Sequence, residues 1–172
     1  QAASPADDLR AGRAALAAGQ PAQARDRFAA ALAGNGTRDE RFAAAMGLGQ
    51  STLWLGDYAA AERAFRIARE AAPDDSARQA ASTGLAQALN ARDYPREARS
   101  LVAPYAMSQT RPTVELLRAD QALGWLDRGQ PYLDAAPAPD TGGYLGTQYR
   151  LLKDDVAFNR AAQVEGGFGY SH

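Results

Sequence analysis

A 37-residue period constrains this chain more than any other feature. Ala24, Ala61 and Ala98 stand 37 residues apart, and the large apolar residues Phe28, Phe65 and Val102 follow them at the same step. Gly12, Gly49 and Ala86 repeat upstream with the same spacing. A fixed period of this size means stacked supersecondary units, none of which buries its apolar face without its neighbours. Such stacks generally offer a surface to a partner and seldom carry out bond chemistry.

Glycine and proline mark out each unit as a pair of helices. The first pair is expected over residues 6–18 and from Pro21 to about Leu32, with Gly19 as the stop signal and Pro21 at the first helical position. Gly34–Asn35–Gly36–Thr37 is a loop of helix breakers. The second pair is expected over Arg41–Leu55 and Tyr58–Ala72 across the tight turn Gly56–Asp57, and the third over about Asp75–Asn90 and Pro95–Met107. Small residues at Gly12, Ala24, Gly49, Ala61, Ala86 and Ala98 let two helices approach closely, and the aromatic one turn later fills the gap against the next pair. The competing architecture is an alanine-rich bundle whose repeats are accidental.

Beyond the third pair the pattern decays. Thr113–Arg128 reads as one more helix, introduced by Pro112 and closed by Gly129. Gln130–Pro131 echoes Gln20–Pro21, but Pro137 and Pro139 limit any helix after it. Thr141–Gly142–Gly143 reads as a linker and Gln148–Ala162 as a charged helix. Val164, Gly166, Phe168 and Tyr170 alternate as one face of an extended strand would. The expected division is a helical repeat region over 5–130 and a linker, short helix and extended tail over 131–172.

Charge and residue type exclude several function classes. Lys and Arg number 19 against 20 Asp and Glu, a balance that gives no reason to expect nucleic-acid binding, which needs a basic face, and that argues against a polybasic membrane anchor. There is no cysteine, hence no disulfide and no thiol nucleophile. The single histidine, His172, is terminal and cannot serve as a positioned base, which removes Ser/His/Asp and Cys/His arrangements. No metal-ligand spacing occurs, and Gly142–Gly143 and Gly166–Gly167–Phe168–Gly169 lack the following helix and lysine of a phosphate loop. The adjacent carboxylates Asp7–Asp8, Asp74–Asp75 and Asp154–Asp155 have a simpler role than catalysis; the first two pairs sit near helix starts, where negative charge is favoured. The expectation is a non-catalytic protein that needs no cofactor. Gln1–Ala2–Ala3–Ser4–Pro5 reads as the start left by signal-peptide removal, or as an arbitrary start, and an exported protein is the preferred reading.

The second unit resembles a tetratricopeptide repeat. Leu48–Gly49, Gly56–Asp57–Tyr58, Ala61, Phe65, Ala68 and Pro73 sit at the family's spacing, with Ala45 where Trp is common and Thr52 where Tyr is common. The first unit matches through Gly12, Gly19, Ala24, Phe28 and Ala31, and the third through Leu85–Ala86, Ala98 and Val102. The period of 37 exceeds the family's usual length of about 34, so the loops are longer. The resemblance covers 5–130 and implies an all-α solenoid of antiparallel helix pairs, three complete and a degenerate fourth, whose first helices line a concave groove. Repeat alignment places groove positions at Leu9, Arg13 and Leu16, at Met46, Gln50, Leu53 and Trp54, and at Thr83, Gln87, Asn90 and Ala91.

Arg13, Gln50 and Gln87 fall one repeat apart and are expected to form a polar row beside Trp54. With Met46 and Asn90 they are the leading binding candidates. Side-chain amides beside an aromatic can hydrogen-bond an extended peptide or stack on a sugar ring. The competing expectation is a solvated helix face with Trp54 packed into the core. Trp125, with Leu123 and Leu126, is expected to pack under the tail and cap the stack, where Tyr144 and Tyr149 are further candidates for cover.

A narrower resemblance concerns the end of the chain. Tyr149–Arg150–Leu151–Leu152–Lys153–Asp154–Asp155 and then Val164–His172 are similar to a linker helix leading into a first barrel strand. That plan resembles the Gram-negative outer-membrane exporters of exopolysaccharide: those of cellulose synthase, the poly-N-acetylglucosamine porins and the phage adsorption protein A type. It implies periplasmic repeats ahead of an outer-membrane barrel, with another protein or peptide segment, or the polysaccharide itself, as partner. The alternatives are a cytosolic adaptor of the same repeat family and an accessory domain of a glycan-acting enzyme.

Overall fold

A computed structural model describes residues 3–139 and 143–166, with side chains to 162. Among them the chain is all-α. Its helices are α1 (Pro5–Ala17), α2 (Pro21–Ala33), α3 (Arg38–Trp54), α4 (Tyr58–Ala71), α5 (Asp75–Ala91), α6 (Pro95–Val102), α7 (Thr110–Ala122), α8 (Gln130–Ala135) and α9 (Gly143–Gly166), with a 3-10 turn over Leu126–Arg128. Contacts group the chain into two compact units, Gln1–Arg92 and Asp93–His172. The first holds α1–α5 and the second α6–α9, so the two helices of the third sequence pair fall on either side of the division.

Each helix of the first unit starts where its sequence offers a cap or a proline. The Ser4 hydroxyl accepts from the Asp7 N–H at 3.2 Å, and the Asp57 and Asp74 carboxylates accept from Ala60 and Ala77 at 3.0 and 2.7 Å. Thr37 and Glu40 cap each other's N–H groups at 3.2 and 2.8 Å, a capping box that starts α3 three residues before the expected Arg41. Pro21 and Pro95 open α2 and α6 with their φ already set. The turns keep the same period: Gly19, Gly56 and Asp93 all have positive φ, at 70°, 76° and 65°. At two of them the next N–H bonds back across the turn, Gln20 to the Ala15 carbonyl and Asp57 to the Thr52 carbonyl, both at 2.9 Å.

Within the first unit successive helices pack in order, α1 on α2, α2 on α3, α3 on α4 and α4 on α5. The odd helices also touch, α1 on α3 and α3 on α5. The core follows the repeat. Ala24 and Ala61 are fully buried, Phe28 and Phe65 are 1% and 2% exposed, and in the second unit Ala98 and Val102 are buried as completely. A Cβ built on Gly12 or on Gly47 would fall 2.8 or 2.4 Å from the Phe28 ring. One period on, a Cβ on Gly49 or Gly84 would fall 2.7 or 2.5 Å from the Phe65 ring. Each phenylalanine therefore lies between a glycine of its own pair and a glycine of the next, with no room for a methyl group on either side.

The first unit also buries charge. Glu62, on α4, is 7% exposed and is held by the guanidinium groups of Arg66 and Arg92. Asp8 is 6% exposed and pairs with Arg27 at 3.1 Å. The Arg38 guanidinium donates to the Ala71 and Ala72 carbonyls at 3.1 and 2.6 Å, satisfying acceptors left open at the end of α4.

The second unit is built around α7, in which residues from Pro112 to Leu117 are all buried. Helices α6 and α9 and the 3-10 turn pack on it. Leu152 and Val156 of α9 are buried, and Tyr149 is buried with its hydroxyl donating to the Leu133 carbonyl of α8 at 3.2 Å. Several expected boundaries move. Helix α6 stops at Val102, not Met107, because Pro104 has no N–H for the Ser100 carbonyl and short turns replace the helix. Helix α7 starts at Thr110, with Pro112 inside its first turn, and ends at Ala122 instead of Arg128. There Gly124 takes φ 70° and the Trp125 N–H bonds back to the Asp120 carbonyl at 2.7 Å. Helix α9 begins at Gly143, earlier than Gln148, because Leu145, Tyr149, Leu152 and Val156 form one helical stripe.

The expected strand is corrected in the part that is described. Residues 164–166 belong to α9 and are helical, so two of the four alternating positions, Val164 and Gly166, are not extended. An alternation of so few residues cannot outweigh a helix already propagating into it. Phe168 and Tyr170 lie outside the described residues, as do Thr141, Gly142 and His172.

Candidate functional site

The six leading binding candidates all lie in the first unit, on helices that touch. Arg13 is on α1, Met46, Gln50 and Trp54 are on α3, and Gln87 and Asn90 are on α5. The α1–α3 and α3–α5 contacts bring these helices side by side, which a polar row at one position per repeat requires. Arg13 is exposed, Gln50, Gln87 and Asn90 are half-buried, and no hydrogen bond joins Arg13, Gln50 and Gln87 to one another.

Trp54 is 56% exposed, so it is not the core residue of the competing expectation. It ends α3, and Leu55 and Tyr58, also exposed, come after it around the turn. Met46 is half-buried and packs with Leu32, Phe42 and Ile67 against buried Ala45, Ala68 and Ala81, so part of it serves the core. Two of the wider groove positions are corrected. Leu9 is 6% exposed within the core of α1, α2 and α3, and Thr83 is 5% exposed with its hydroxyl turned to the Gln79 carbonyl at 2.9 Å. Burial removes both from any exposed face. Leu16 packs against the same core as Leu9, Leu53 is half-buried and Ala91 is exposed.

The carboxylate pairs have structural partners. Asp7 lies beside the Ser4 hydroxyl and 2.6 Å from Arg10, and the hydrogen bond from Ser4 comes first among the causes that hold its carboxyl below the usual range. Asp74 caps α5 and Asp75 pairs with Arg78 at 2.6 Å. Asp155 accepts from the Gln121 amide at 2.9 Å. Among the described residues no group of three or more His, Cys, Asp or Glu side chains is placed to hold a metal ion. No helix among them is long and apolar enough to cross a membrane.

The aromatic residues of the second unit are placed differently from one another. Trp125 is half-buried, with guanidinium groups of Arg96, Arg99 and Arg128 over its ring, while Leu126 is buried beside it in sequence. Tyr144 is 66% exposed, its hydroxyl 2.7 Å from the Arg118 guanidinium. Sequence reasoning assigns Trp125 a capping role only; arginines at positions 96, 99 and 128 carry no local signal that they converge. No family model matches the sequence, and neither a curated protein nor a solved structure matches it.

Proposed function

We propose that the chain is a tetratricopeptide-type α-solenoid that acts as a non-catalytic scaffold, holding an extended segment of another protein in a groove lined by α1, α3 and α5. One observation carries the reading: the Gly12–Phe28–Gly47 sandwich recurs as Gly49–Phe65–Gly84 at the 37-residue step. Identical packing at a fixed step is what stacks one helix pair on the next in a repeat array. The same step puts Arg13, Gln50 and Gln87 at equivalent positions of adjacent helices, with Trp54 exposed at the end of the central one. Amide and guanidinium groups match the free N–H and C=O groups of an extended backbone, and a rigid framework lowers the ordering cost of binding.

The exporter setting belongs to the same proposal: periplasmic repeats below an outer-membrane pore, docking assembly partners or guiding a polymer such as cellulose. It rests on the sequence resemblance.

A displayed library of random peptides, selected on the purified chain, tests the groove. Selected peptides are expected to lose at least about tenfold in affinity for Gln50→Ala/Trp54→Ala/Gln87→Ala, a loss of about 1.4 kcal/mol. The helical circular-dichroism spectrum should stay unchanged. Peptides that bind this variant as well as wild type would place recognition elsewhere.

A further inference from the structure

Three guanidinium groups gather on one indole in the second unit. The central carbons of Arg96, Arg99 and Arg128 lie 5.3, 5.8 and 4.9 Å from the centre of the Trp125 ring. Arg96 and Arg99 come from α6, and Arg128 ends the 3-10 turn that begins just after Trp125. The bond from the Trp125 backbone N–H to the Asp120 carbonyl, at 2.7 Å, ties the main chain that carries the indole to the end of α7.

The cluster is not neutralised from within. Arg99 has a counter-charge: its Nε donates to Oδ1 of the fully buried Asp120 at 2.6 Å, with Tyr132 also nearby. Arg96 and Arg128 are exposed and make no ion pair with any described residue. Arg128 and Asp127 both act on Asp120 through their charge. The second oxygen of Asp120 has no hydrogen-bond partner. Like charges repel at this range, and attraction of each guanidinium to the ring offsets that only in part.

We propose that Arg96 and Arg128, braced on Trp125, bind the carboxylates of an acidic polypeptide segment. A guanidinium is a planar fork of donors that matches a carboxylate with two parallel hydrogen bonds. Two forks held against one ring are partly ordered before the ligand arrives, which reduces the rotamer entropy lost on binding. Guanidinium groups occupy the space over the indole, so a sugar ring has little of Trp125 to stack on. That favours polypeptide carboxylates over an acidic polysaccharide. The site lies wholly within the second unit and is independent of the groove proposed for the first.

An oligoglutamate peptide of about ten residues, titrated into the whole chain at low salt, tests the site. Binding should shift the indole N–H resonance of Trp125 and leave that of Trp54 in place. The corresponding fluorescence change should vanish in Trp125→Phe. Affinity should fall at least about tenfold in Arg96→Gln/Arg128→Gln and weaken as salt screens the charges. Circular dichroism checks that the variant is folded, and the resonance shift in wild type needs no variant. An oligoglutamine peptide of the same length should not bind. Several results would overturn the proposal: no response at Trp125, an equal response to oligoglutamine, or undiminished affinity in the folded double variant. Tighter binding of polygalacturonate would also overturn it, and reassign the site to an acidic polysaccharide.

Discussion

Phe28 lies against Gly47 so closely that a Cβ built on the glycine would sit 2.4 Å from the ring's Cζ. The two residues belong to different helix pairs, so this contact seats one pair on the next. Phe65 and Gly84 repeat the relationship one period later, at 2.5 Å.

Gly47→Ala is therefore expected to destabilise the chain by up to about 2 kcal/mol. Overpacking costs about 1–3 kcal/mol, and alanine's better helix propensity returns about 1 kcal/mol. In a Phe28→Ala background the ring is gone, and the same change should be neutral or stabilising. Urea unfolding of the four proteins of this double-mutant cycle measures the coupling; equal costs in both backgrounds would remove the contact.

Phe65→Ala should cost about 3–5 kcal/mol, because a ring that is 2% exposed leaves a cavity between two glycine-bearing helices that have no side chain to collapse into it. The check is chemical denaturation against wild type. A variant that unfolds at the same urea concentration would show that the repeat register is wrong.

Asp93 takes the left-handed conformation that glycine takes at the equivalent turns, Gly19 and Gly56. Asp93→Gly is expected to raise stability by about 1 kcal/mol, and Gly56→Ala to lower it by about 1 kcal/mol, since a Cβ is disfavoured at such a φ. Thermal melts of both proteins give the two signs, and melts that move in the same direction would contradict the account.

Burial pushes the Asp120 carboxyl above the ordinary aspartate range, against the opposing pull of Arg99 and Arg128. The folded state then holds the proton more tightly than the unfolded state. The stability this group confers is complete below the ordinary aspartate range and is lost as pH rises through the raised folded value. Relative to Asp120→Asn, wild type should gain stability as pH falls from about 7 towards 4, measured by urea unfolding across that range. A wild-type advantage that grew with rising pH would reverse the assignment.

Much of the first unit was legible in the chain because its signals are local. Gly19, Gly56, Pro21 and Asp57 fix turns and helix starts through backbone chemistry that needs no distant partner. The burial of Ala24, Ala61 and Ala98 followed from their spacing. The second unit was read less well. Pro104 and Gly124 end α6 and α7 early, and the alternation at Val164 and Gly166 suggested a strand where α9 continues. Of the wider groove positions, Leu9 and Thr83 are buried, because a repeat alignment fixes a residue's place along its helix but not which neighbour covers it.

The order of residues is enough to establish that this protein is helical, where its first five helices run, and that small and large residues alternate between pairs at a 37-residue step. Those properties follow from backbone propensity and periodicity, which act over a few residues at a time. Three further relationships needed the folded chain: Gly84 receives the Phe65 ring, Glu62 is gripped by Arg66 and Arg92, and three arginines meet over Trp125. Except for Glu62 with Arg66 on the same helix, and Trp125 with Arg128 in the same turn, these contacts join residues remote in sequence. They exist only once packing has brought the helices together, so no local pattern marks them.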